Sequence, residues 1–278
     1  MIDLYNSVSK RTGKMITNSY STSFSLGIYC LDKKYHDGIY AIYGFVRLAD
    51  EIVDTFHGFP KRELLDEFEK DTFVAIERKI SLNPALNAFQ WAVNTYNIDH
   101  ENIRTFLKSM RMDLSMQDHD KTSYEDYILG SAEVVGLMCL SVFLDGNQKR
   151  YDELKDAAMK LGSAFQKINF LRDLHADYFQ LGRVYFPGVD MKDFDADTKK
   201  AIEADIEIDF KAGYEGIKQL PRGVRFGVHV AYVYYYALFQ RIRGLEPSVI
   251  LEKRVRIPNR KKYHLLLSSY FRHSFNIL

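Results

Sequence analysis

GIYAIYGFVRLADEIVDTF, residues 38–56, is apolar almost all round, yet it carries two aspartates, Asp50 and Asp54, four residues apart. A helix puts both on one face. At about 100° per residue, Tyr43 and Arg47 share that face within roughly 60°. Carboxylates in an apolar helix are costly unless something positive meets them. The stretch SAFQKINFLRDLHADYF, residues 163–179, repeats the device with Gln166, Asn169, Asp173 and Asp177 on one narrow stripe. One such stripe could be a solvated groove. Two stripes in one chain point to buried helices facing a shared cavity.

Helical periodicity governs the sequence around them. No hairpin signal and no alternation of strand and helix patterns is visible. Asp32 can cap a helix over residues 33–56, stopped by His57-Gly58-Phe59-Pro60. A charged amphipathic helix follows, then one opened by Asn83-Pro84 and one capped by Asp99 running to Met116. Ser123 starts a helix ending at Leu144 before Asp145-Gly146-Asn147, and residues 149–178 read as one long helix. The segment QLGRVYFPGVDMKDF, residues 180–194, reads as a loop. Helices over 195–218, 222–243 and from Pro258 complete an all-α bundle. The chain of 278 residues has six prolines and no linker-like composition break, so a single domain over 1–278 is expected.

The cavity's chemistry is constrained. Aspartate and asparagine oxygens are hard ligands suited to Mg²⁺, with Mn²⁺ as an alternative. Mg²⁺ takes few carboxylates and completes its sphere with water and substrate phosphates. Arg47, Arg172 and Arg183 supply planar donors that match phosphate oxygens. Carboxylates, arginines and an enclosure rich in tyrosine and phenylalanine (19 of each) suit an apolar substrate with a diphosphate head. Metal binding would make that diphosphate a leaving group, and ring faces would steady the carbocation left behind.

A formal charge of +1 gives no support to a nucleic-acid partner. Two cysteines, Cys30 and Cys139, are too few for a disulfide framework and fit a reducing cytosol. The N-terminus lacks a secretory apolar region, and the apolar run at residues 228–239 is too short to span a bilayer. A cytoplasmic protein is expected, with peripheral membrane contact through Arg254, Arg256, Arg260, Lys261 and Lys262 as one reading of that basic cluster.

The quoted motifs resemble those of the head-to-head prenyl synthases, the squalene, dehydrosqualene and phytoene synthases, and look most like bacterial phytoene synthases. YSTSFSLGIYCLDKKYHDGIYAIYGFVRLADEIVD resembles their Ser-Phe motif and first aspartate-rich helix; YILGSAEVVG, residues 127–136, resembles their tyrosine and glycine helix. AFQKINFLRDLHADYFQLGRVYFP is similar to their second aspartate motif and flap, and KRVRIPNRKK to a basic segment near a diphosphate. The resemblance covers residues 17–262. It implies an isoprenoid-synthase-type helical bundle around a large central cavity. The implied reaction joins two geranylgeranyl diphosphates through a cyclopropyl diphosphate to phytoene. It further implies that Asp50, Asp54, Asp173 and Asp177, with Asn169, bind metal and diphosphate. Ser21, Arg47, Gln166, Arg172, Arg183 and Arg254 would contact diphosphate; Tyr43, Tyr127, Tyr185 and Tyr236 would line the reacting centre, and Phe24 the prenyl channel. Two departures stand out: one extra residue between Asp177 and Arg183, and Glu133 where a small residue is expected. His175 reads as a residue behind the site.

Alternatives remain open at this point. A squalene or dehydrosqualene synthase would use farnesyl diphosphate, and squalene formation needs NADPH, for which no glycine-rich fingerprint is present. A di-metal redox bundle would want Glu-x-x-His pairs, which are missing. A non-catalytic relative would be expected to lose the acidic pairs, and all four aspartates are present.

Overall fold

The long apolar segments become long helices. The computed structural model describes residues 1–115, 120–179, 182–189 and 193–274, which form thirteen α-helices and no β-sheet. Three central helices place the site: α3 (Lys33–Asp54), α9 (Gln148–Phe179) and α11 (Arg222–Arg243). Around them lie α1 (Ile2–Tyr20), α2 (Thr22–Tyr29), α4 (Lys61–Arg78), α5 (Pro84–Tyr96), α6 (His100–Asp113), α7 (Lys121–Ile128), α8 (Val134–Phe143), α10 (Ala196–Gln219), α12 (Pro247–Glu252) and α13 (Asn259–Ser274). The patterning did not mark out α1, α2 or α12.

Local chemistry explains most boundaries. Asn83 accepts from the backbone N–H groups of Ala85 and Leu86 with Pro84 at the first helical position, and Asp99 accepts from Glu101. The sequence expectation of a start at Ser123 is corrected: Asp120 is the cap, its carboxylate accepting the Ser123 N–H at 2.8 Å. The helix expected to reach Met116 ends at Asp113, and Met116 itself lies outside the described residues. Between α7 and α8 the backbone widens into a π-helical turn, Leu129–Glu133, which rotates the following face relative to Tyr127. Residues Lys121–Phe143 are together long and apolar enough to cross a bilayer, but half of that stretch is buried inside the fold.

Two clusters of buried side chains brace the central helices. In one, Phe45 of α3 stacks on Phe89 of α5 with ring centroids 3.9 Å apart and touches Phe106 of α6. In the other, Phe170 of α9 stacks on Tyr185 at 4.1 Å, and Phe210 of α10 meets Phe239 of α11. Each fully buried phenylalanine contributes about 1.5–3 kcal/mol through burial. Glycines bring the helices close: a Cβ on Gly216 would lie 2.5 Å from that of Ala157, locking α10 against α9.

An apolar channel runs between the central helices. On α9 it is lined by Leu154, Ala157, Ala158, Leu161, Gly162, Phe165 and Gln166, one continuous face over three turns. Phe24 and Ile28 of α2, Val135 and Cys139 of α8, and Val228 and Ala231 of α11 close the other sides. Burial pushes the Cys139 thiol up to about 12, so it is an inert wall.

Candidate active site

Both aspartate stripes lie beyond the channel lining, on α9 past Gln166 and on α3 past Ile39. Asp50 is desolvated and feels the charge of Asp54, and its carboxyl is pushed up to about 7. Asp177 is raised to about 7 by burial, by Asp173 and, across the cavity, by Asp54. The two pairs therefore face each other, and their mutual repulsion is what a bound cation would relieve. Among the described residues, no three acidic, histidine or cysteine side chains converge tightly enough to hold a metal ion by themselves. The acids form two half-sites. Their hard oxygens and unrelieved like charge fit a divalent cation whose sphere is completed by phosphate.

Arginines sit on these acids. Arg172 grips Asp173, its Nε lying 3.1 Å from both carboxylate oxygens, and Arg254 reaches the same group from the α12–α13 connection at 2.7 Å. Arg183 lies between Asp54 at 3.4 Å and Asp113 at 3.8 Å, and donates to the Asp113 carbonyl at 3.2 Å. The extra residue expected between Asp177 and Arg183 falls in a stretch whose Gln180 and Leu181 lie outside the described residues. The Arg183 N–H nonetheless returns to the Asp177 carbonyl at 2.8 Å. Arg47 is held by Glu51 one turn on and stacks over Tyr20 at 4.2 Å, while its Nε is buried without a hydrogen-bond partner. A buried guanidinium donor left over beside Asp50 is suited to an anion.

The polar residues of the stripes are interlocked. The Asn169 amide donates to Gln166 at 3.3 Å, and its oxygen accepts from the Tyr235 hydroxyl at 3.3 Å. Ser21 caps α2 by accepting the Phe24 N–H at 3.2 Å and lies close to Tyr43, whose ring is 5.0 Å from that of Phe24. Burial raises Tyr43, so it stays a neutral phenol offering a ring face. Tyr127 and Tyr185 are buried side by side, ring centroids 5.3 Å apart.

Tyr236 stands elsewhere, which corrects the sequence expectation. Its hydroxyl donates to Glu207 at 3.2 Å and its ring stacks on Tyr232, on the side of α11 turned toward α10. Tyr235, 100° round the helix, is the residue that meets Asn169. His175 lies behind the site, its Nδ1 2.7 Å from the Leu251 carbonyl oxygen. Glu133, the second departure, turns out of the channel from the π-helical turn and accepts from Ser163 at 2.8 Å.

Asp113 escaped the sequence reading. It is the last residue of α6, buried at the site, and its carboxylate accepts from the Tyr127 hydroxyl at 2.9 Å. Desolvation pushes it up to about 7 against the pull of Arg183 and Tyr127. No polar stripe announces it, because its helix presents one acid at a terminus. Glu51, by contrast, was readable as an i,i+4 partner of Arg47.

The squalene/phytoene synthase family model matches residues 17–261, which include both aspartate stripes, the tyrosine helix and Arg254. The chain belongs to the squalene/phytoene synthase family. That places it among the prenyltransferases that condense isoprenyl diphosphates head to head. It is 27% identical over 284 residues to the 15-cis-phytoene synthase of Synechocystis sp., covering 93% of this chain and 83% of that protein. It is 26% identical to the 4,4'-diapophytoene synthase of Staphylococcus haemolyticus, over 68% of this chain and 66% of that protein, just under two thirds of its length. A dehydrosqualene synthase solved with a ligand superposes with a TM-score of 0.79 at 21% identity, covering 95% of this chain and 96% of that one. The squalene synthase HpnC of Alicyclobacillus acidocaldarius superposes at 0.76 and 21% identity, over 86% and 95%. These two structures establish the fold, the all-α isoprenoid-synthase bundle.

Proposed function

We propose that this enzyme is a phytoene synthase condensing two geranylgeranyl diphosphates. The observation that carries this reading is the length of the apolar channel. On α9 the lining runs from Leu154 to Gln166, twelve residues or about 18 Å of helix, and Asn169 of the acidic stripe follows one turn beyond. An extended C20 tail advances about 1.25 Å per bond, about 20 Å over roughly sixteen bonds counted from the diphosphate oxygen, and a C15 tail only about 15 Å over roughly twelve. The C20 tail fills the channel; the shorter one leaves its far turn empty.

The chain's residues divide the work. Asp50, Asp54, Asp173 and Asp177, with Asn169, are the oxygen donors that would hold Mg²⁺, which when bound neutralises charge building on the leaving diphosphate. Arg47, Arg172, Arg183 and Arg254 orient the phosphate oxygens. The first C1–O bond breaks with its electron pair going to diphosphate. The double bond of the second substrate then attacks the cation and, with loss of one proton, closes a cyclopropane that keeps the remaining diphosphate. Departure of that group, rearrangement and loss of a second proton give phytoene, with no external reductant. Tyr43, Tyr127 and Tyr185 present ring faces to the cations, and the channel walls keep water away.

Condensation of farnesyl diphosphate is the second reading, supported by the likeness to the 4,4'-diapophytoene synthase. Purified protein with Mg²⁺ should convert geranylgeranyl diphosphate to a C40 hydrocarbon without NADPH. Turnover of the C15 diphosphate alone would overturn the C20 assignment.

A further inference from the structure

Charge is divided unevenly along this chain. Residues 222–278 hold eleven Lys and Arg against two Glu, a balance of +9, whereas residues 1–221 hold 27 against 35, a balance of −8. The near-neutral total conceals a strongly basic C-terminal part. Arg254 is occupied by Asp173 at the active site, but Arg256, Arg260 and Lys261 project to solvent beyond it. Neither Arg260 nor Lys261 is ion-paired among the described residues.

The helix that follows has two apolar faces. Leu265 and Ser269 of α13 turn inward toward α11, and the Tyr234 hydroxyl of α11 donates to the Lys262 carbonyl at 2.8 Å. On the outer side Tyr263 and Leu267, with Tyr270 whose ring edge also meets Phe226 of α11, form a stripe at i, i+4 and i+7 that is 66%, 58% and 55% exposed. Tyr29, at the end of α2 and 76% exposed, belongs to the same neighbourhood, since Tyr234 feels both Cys30 and Tyr263. A helix with aromatic and leucine side chains directed outward and basic residues at its start is built for a lipid–water interface. This stripe lies on the outer side of α11, whose inner face lines the channel together with α2. Those two helices cross at glycines, a Cβ on Gly227 falling 2.7 Å from the Gly27 carbonyl oxygen.

We propose that the outer face of α13, with Arg256, Arg260 and Lys261, docks this enzyme on an anionic lipid bilayer, with the α2–α11 wall of the channel turned toward the lipid. Charge complementarity selects the partner: each basic residue adds about fivefold in affinity, about 1 kcal/mol, at a negative lipid surface that a zwitterionic one does not supply. The inference is independent of substrate length; it rests on the surface alone.

The test is sedimentation of the full chain with vesicles of phosphatidylcholine alone, or with about 30% phosphatidylglycerol, at about 0.1 M salt. Binding to the anionic vesicles only, released by about 0.5 M salt, is expected. Arg260→Ser with Lys261→Ser should weaken it about 25-fold, about fivefold per charge. Tyr263→Ser with Leu267→Ser should weaken it at least about tenfold while leaving its salt dependence in place. Tyr263→Ser with Leu267→Ser should turn over substrate in detergent at the parent rate, and both variants should melt at the parent temperature, which excludes misfolding as the cause. Equal binding to both vesicles, no binding to either, unchanged binding of the two variants, or self-association through this face in sedimentation velocity would each overturn the proposal.

Discussion

Replacing Ala158 by phenylalanine should shorten the channel by about one isoprene unit. Ala158 lines the channel one turn above Leu154 and eleven residues, about 16 Å, from Asn169. Neighbouring Ala157 is closed in by Gly216, 2.5 Å from where a Cβ would stand, whereas the close approach at Ala158 is to its carbonyl, from Gly136, and not to its methyl. A C15 tail of about 15 Å still fits above the ring; the last five carbons of a C20 tail do not. At about 0.8 kcal/mol per methylene-sized group, the lost burial is about 3–4 kcal/mol, or about 10²- to 10³-fold in kcat/KM for the C20 diphosphate. The C15 diphosphate should change less than about threefold. Steady-state rates of diphosphate release with each substrate read the two numbers, and circular dichroism with a thermal melt establishes that the fold is intact. A folded variant that loses both substrates equally, or keeps the C20 rate, would refute the channel as the measure of chain length.

Four further outcomes are expected. Tyr235→Phe removes the hydroxyl that orients Asn169 and should lower kcat about tenfold, whereas Tyr236→Phe, facing Glu207, should stay within about threefold; the reverse order would contradict the placement of the two rings. Asp113→Asn weakens the grip on Tyr127 and Arg183 and should cost about tenfold or more in kcat with an intact far-ultraviolet spectrum; an unaffected kcat would remove Asp113 from the site. The carboxyls of Asp50, Asp113 and Asp177 sit near 7 in the fold against 3.8 in the free chain. Between those values the unfolded chain ionises while the folded one keeps its protons, so stability should fall as pH rises from about 4 to about 7 and level off above. Cation binding at Asp50 and Asp177 must displace protons, so the calorimetric affinity for Mg²⁺ with diphosphate should climb from about pH 6 to about pH 8, and a flat profile would count against the acid cage.

The architecture was legible because its signals are periodic. Asp50/Asp54 and Asp173/Asp177 keep a four-residue spacing inside apolar helices, and Asn83-Pro84 and Asp99 mark helix starts by local hydrogen bonds. The parts that could not be read depend on contacts between distant segments or on register. Asp113 is one acid at a helix end, and only the fold brings Tyr127 and Arg183 to it. Tyr234, Tyr235 and Tyr236 are consecutive, and α11 is aromatic on more than one face, so composition could not say which hydroxyl meets Asn169. The π-helical turn at Leu129–Glu133 leaves no mark on the hydrophobic pattern, yet it decides that Glu133 points at Ser163 instead of into the channel. Channel depth likewise depends on which faces of α2, α8, α9 and α11 converge.

Mass analysis of the hydrocarbons formed from an equimolar mixture of C15 and C20 diphosphates with Mg²⁺ and no NADPH, by the parent enzyme and by Asp50→Asn, tests the central claim most directly. The expected result is a predominant C40 hydrocarbon, two diphosphates released for each, and no product from the variant. A predominant C30 product, or undiminished turnover by Asp50→Asn, would contradict it.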